Sequence, residues 1–89
     1  MQLEYDPDKR VLNLRKHGVD LEDASIVLSD PRALIREDAD ALEKQRFIAV
    51  GSDALARLLT VVYTYGPPDI IRLISARRAS AKEQRAYES

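Results

Sequence analysis

The chain of 89 residues has no cysteine, one histidine, one phenylalanine and three glycines. Without cysteine, neither a disulfide framework nor a thiolate metal site supports the fold, and one histidine leaves too few of the usual ligands for zinc. Gly18, Gly51 and Gly66 stand apart, so there is no glycine-rich loop to cradle a phosphate. The acids lack the spacing of a calcium loop, and no turn presents a serine as a hydrolase nucleophile. No apolar run approaches the roughly eighteen residues of a membrane span. The opening Met1-Gln2-Leu3-Glu4-Tyr5-Asp6 lacks the basic and apolar regions of a signal peptide. These absences predict a cytoplasmic protein with no metal, no cofactor and no contact with a membrane.

Eighty-nine residues suffice for one small domain with a single core, and neither an internal repeat nor a linker divides residues 1–89. The formal net charge is -1, but its distribution is uneven. Residues 1–44 carry seven Lys or Arg against eleven Asp or Glu, and residues 45–89 carry seven against four. Phosphate binding depends on a local patch rather than on the total, so the second half can hold nucleic acid while the first half repels it.

Local signals place the elements. Gln2 to Tyr5 suits a short edge strand. Asp6-Pro7-Asp8 then reads as a helix start, with an N-cap acceptor, proline at the first helical position and an acid at the positive end of the dipole. Gly18 follows the cations Lys16 and His17 where a C-cap belongs, which predicts a helix over 7–17. Asp20 restarts a second helix over 21–28, ended by Asp30-Pro31. Arg32 to Arg36 suits a strand, and the acidic stretch 37–43 a loop. Arg46 to Val50, Leu58 to Tyr65 and Ile70 to Ala76 read as three further strands. Short connections between successive strands favour antiparallel neighbours. Ser80 with Glu83 three residues on is a capping-box pattern opening a last helix. The expectation is an α+β fold: an antiparallel sheet of four to five strands, two helices before it and one after.

Residues 70–88 carry the strongest functional signal, an apolar strand running into a short basic helix. Its cations Arg72, Arg77, Arg78, Lys82 and Arg85 face only Glu83 and Glu88. Within it, Arg72-Leu73-Ile74-Ser75-Ala76-Arg77-Arg78-Ala79 followed by Glu83-Gln84-Arg85-Ala86-Tyr87 resembles the BrnT-type toxins. These are the ribonuclease halves of type II toxin–antitoxin pairs, related to RelE-like toxins. Tyr5-Asp6-Pro7 with Lys9 and Asn13, Lys16-His17-Gly18-Val19, and Arg46 with Gly51 extend the likeness over nearly the whole length. The resemblance implies a RelE-like fold and metal-independent endoribonuclease activity. It also implies a partner, an antitoxin carrying a DNA-binding segment, through which alone operator DNA is reached.

Metal-free RNA cleavage commonly has the 2'-hydroxyl attack the adjacent phosphate, which calls for proton transfer and for neutralisation of a pentacovalent transition state. Histidine suits the first at neutral pH and arginine the second. The candidates are His17, Arg46 and Arg77 as catalytic residues, with Lys16, Arg57, Arg72, Arg78 and Tyr87 binding RNA. Each has a plainer reading. His17 also suits the negative end of the helix dipole, and Arg72 can pair with Glu4 or Asp6. Tyr87, on one helical face with Glu83 and Ser80, suits docking of the terminal helix. Arg72 and Arg77, five apart on a regular strand, are expected on opposite faces. Arg46 and Arg57 are expected at opposite ends of their hairpin, so one at most joins Arg77. Tyr63 and Tyr65 share a sheet face, where core packing is the commoner role. The alternatives are a noncatalytic module that binds a partner or nucleic acid and, more weakly, a DNA-binding domain.

Overall fold

Three capping devices set the first two helices. Asp6 accepts a hydrogen bond from the Asp8 N–H at 2.8 Å and Pro7 opens helix α1, Pro7–His17. Gly18 closes it in the left-handed region, φ 69°, with its N–H on the Leu14 carbonyl. Asp20 caps α2, Leu21–Ala24, by accepting from the Glu22 N–H. The computed structural model, which describes residues 2–89, departs here from a single helix over 21–28. The chain tightens into a 3-10 turn over Ser25–Ser29. Leu21, Ala24 and Val27 are the fully buried residues of this stretch, and they recur every third position. A three-residue turn stacks such positions on one line, whereas an α-helix lets them drift around the axis.

Among the described residues the sheet has five strands, β1 (Gln2–Glu4), β2 (Leu34–Glu37), β3 (Phe47–Ser52), β4 (Leu58–Gly66) and β5 (Ile70–Arg78), in the order β1-β5-β4-β3-β2. The β2–β3, β3–β4 and β4–β5 pairs are antiparallel as expected, but β1 lies parallel to β5. Short-connection reasoning governs only successive strands, and β1 pairs with a strand more than sixty residues away. One face carries Ala49, Leu59, Val61, Tyr63, Leu73 and Ala76, sealed by Val19, Leu21, Ala24 and Val27 to form the core. Gly51 lets this layer close: a Cβ there would stand 3.0 Å from Val27 and 3.2 Å from Ala33.

Helix α3, Ala81–Glu88, starts at Ser80 with both halves of the capping box formed. It rests on the opposite sheet face. Its far end is tied down by the Tyr87 hydroxyl, which donates to Asp30 Oδ2 at 2.6 Å, while Asp30 also accepts from the backbone of Ser52 and Arg32. The rest of that face stays open.

Candidate functional site

Along β5 the register slips between Val62 and Tyr63 of β4: Ser75 lies opposite Val62, but Leu73 lies opposite Tyr63, leaving Ile74 extra. This bulge reverses the alternation of side chains. Arg72 therefore pairs with Thr64 and Arg77 with Thr60, two β4 residues four apart and so on one face. The expected placement of Arg72 and Arg77 on opposite faces is corrected. Both stand on the open face, roughly 14 Å apart at about 3.4 Å per residue.

Helix α1 runs beside the outer edge of β5 where the short β1 has ended. The Asn13 side chain acts there as a substitute strand: it donates to the carbonyls of Val19 at 2.8 Å and Ala76 at 2.9 Å and accepts from the Ala76 N–H at 3.0 Å. Asn13 is 6% exposed. This clamp seats Lys9, Leu12, Lys16 and His17 against Ile74 and Ser75, around a cleft of about 560 Å³. A smaller recess beside it, lined by Glu4, Tyr5, Asp6, Lys9 and Arg72, shares Lys9 with the cleft. His17, Lys16, Lys9 and Arg72 thus border one continuous margin of the open face. Lys9 was legible in outline, because residues seven apart on a helix share a face, as Lys9 and Lys16 do.

Several nominated cations are already engaged. Arg77 grips Glu83 with both guanidinium nitrogens, at 2.7 and 3.0 Å. That contact first, and the Ser80 N–H after it, hold the Glu83 carboxyl down at about 2 against the burial that opposes them. Arg72 pairs with Glu4, its direct neighbour in the β1–β5 register. Arg57 donates at 2.7 Å to Asp53, whose side chain is almost fully buried in the β3–β4 connection. Burial pushes the Asp53 carboxyl up, but hydrogen bonds from the Arg57 backbone and side chain and from the Leu55 N–H leave it below its ordinary value.

The remaining candidates separate. Arg46 precedes β3 and lines a recess with Asp38, Asp40 and Glu43, apart from His17 and Arg77. Arg57 lies at the other end of the hairpin, as expected, with Arg78 near it, since Ala79 bonds the Leu58 carbonyl. Tyr87 is the anchor of α3: Asp30 holds its hydroxyl and raises its pKa, and Arg32 lies over its ring. Tyr63 and Tyr65 meet edge-on at 5.7 Å on the core face, beside Phe47. Burial and the Tyr65 hydroxyl push Tyr63 up to about 12. A second groove, of about 490 Å³, lies between α3 and β2, floored by Leu34, Ile48 and Val50 and edged by Arg36, Arg77 and Lys82. Among the described residues no cluster of His, Cys, Asp and Glu gathers to hold a metal ion.

A five-stranded sheet with the helices that follow β1 on one face, a short C-terminal helix on the other and a histidine among cations at the open margin defines a small α+β protein of the ribonuclease-toxin class. The family described as "Ribonuclease toxin, BrnT, of type II toxin-antitoxin system" matches residues 5–83, and the chain belongs to that family. Its fold is similar to the crystal structure of the Brucella abortus ribonuclease toxin BrnT, with a TM-score of 0.69 and 29% sequence identity over 90% of this chain and 97% of that one. No protein of curated function matches it significantly.

Proposed function

We propose that the chain is a cytoplasmic endoribonuclease that cleaves RNA without a metal, by attack of a 2'-hydroxyl on the adjacent phosphate, and that an antitoxin neutralises it. The observation that carries the reading is the β5 bulge, which lets Arg72 and Arg77 share one open face with the His17 margin. In this reading RNA runs along the α1–β5 cleft. Lys9 and Lys16 hold backbone phosphates, His17 transfers the proton, and Arg72 draws the strand past the end of β1. Arg77 joins the transition state when a phosphate competes with Glu83 for its fork. Arg46, among acids, lies outside this assembly, as does Arg78, opposite Leu59 and so on the other sheet face, and Arg57 and Tyr87 act on the fold rather than on RNA. Operator DNA is reached only through the antitoxin's DNA-binding segment. Among the described residues no helix is long and apolar enough to cross a membrane.

The existing pairs of Arg57, Arg72 and Arg77 with acids favour a second reading, a noncatalytic module that only binds its partner. Purified protein incubated with RNA both with and without excess EDTA decides between them. The proposal expects fragments ending in 2',3'-cyclic phosphate and a loss of about 10²–10⁴-fold in rate for His17→Ala. RNA left intact in both arms supports the binding module, cleavage abolished by EDTA refutes the metal-free route, and 3'-hydroxyl ends refute 2'-hydroxyl attack.

A further inference from the structure

We propose that the outer edge of β2 is the docking site of the antitoxin, which adds an extended segment there as a sixth strand; the proposal rests on the toxin–antitoxin reading above. β2 ends the sheet and among the described residues pairs only with β3, so its outer row of N–H and C=O groups has no strand partner. Leu34 and Ile35 are consecutive, point to opposite faces and are 44% and 57% exposed. Both residues line the groove between β2 and α3, but their side chains leave β2 in opposite directions, so a helix laid in the groove seats mainly on Leu34. A strand running along the edge covers both, with alternate side chains reaching each face.

The chemistry of the segment follows from its neighbours. On the groove side, Ile48, Val50 and Ala86 take an apolar side chain, and Arg36 and Lys82, which make no ion pair among the described residues, take a carboxylate. On the other face Ile35 is followed by Glu37 rather than by a cation, which suits a peptide and not a nucleic-acid backbone. The occupant is therefore an extended peptide with apolar side chains on both faces and an acid on the groove side.

The test measures binding of the cognate antitoxin to wild type, Leu34→Lys, Ile35→Lys and Arg36→Glu, with amide hydrogen exchange on the wild-type complex. The expected result is at least tenfold weaker binding for each variant, about 1.4 kcal/mol, and slowed exchange over residues 34–37. These side chains are exposed, so melting temperatures report that the variants fold. Loss confined to Leu34→Lys and Arg36→Glu overturns strand addition in favour of a helix in the groove. Unchanged binding and unprotected amides overturn the proposal and leave the toxin–antitoxin reading standing, whereas failure of wild type to form any complex refutes both. Dimerisation of the chain alone, with 34–37 protected, assigns the edge to a second copy and also overturns it.

Discussion

Asn13→Ala removes the side chain that stands in for a missing strand. Three backbone groups lose their partner: the Val19 carbonyl, the Ala76 N–H and the Ala76 carbonyl. A buried polar group left unpaired costs about 1–3 kcal/mol. The site adjoins the α1–β5 cleft, so water re-enters part of it and the lower end of that range applies to each group. The expected loss is roughly 3 kcal/mol, a large share of the ~4–13 kcal/mol available to a chain of this size. For a domain this small, it corresponds to a fall in Tm of about 12–24 °C. Urea unfolding measures it directly as a lower midpoint at unchanged slope. Asn13→Asp keeps the acceptor for the Ala76 N–H but turns a carboxylate on two carbonyls, so it is expected to destabilise as well. A loss below about 1 kcal/mol for Asn13→Ala, the behaviour of an exposed asparagine, refutes the clamp.

Tyr87→Phe is expected to lower the melting temperature through the lost bond to the Asp30 carboxylate, with the rate of RNA cleavage unchanged; a large loss of rate in a folded variant returns Tyr87 to the site. Arg57→Ala leaves the Asp53 carboxylate, 1% exposed, without its cation; the expected cost is ~1–3 kcal/mol in thermal unfolding, with RNA affinity unaffected. Glu83 has an ordinary value of 4.5 and a folded value of about 2. Its contribution to stability is therefore complete above about pH 5 and is lost as the pH falls toward 2. Wild type is expected to lose stability more steeply than Glu83→Gln across that window in acid titrations followed by circular dichroism, and parallel curves argue against the Arg77–Glu83 pair.

Neighbouring residues alone determined much of this protein. Asp6-Pro7, Gly18, Asp20 and the Ser80–Glu83 box mark helix ends because each cap acts within a few residues of its partner, and the β-branched runs at 47–50, 58–65 and 70–74 mark strands for the same local reason. The residue types of the proposed site, one histidine and an excess of arginines, are read from the sequence too. Tertiary structure decided what spacing does not encode. One extra residue at Ile74 moved Arg77 onto the face of Arg72, because a single slip inverts a period of two. Which cations stay free was settled largely by distant partners, with Glu4 meeting Arg72 across 68 positions, and Asn13 found its role only once Ala76, 63 residues on, lay beside it. Caps and strand propensity are short-range energies; pairing, register and burial depend on where the chain returns.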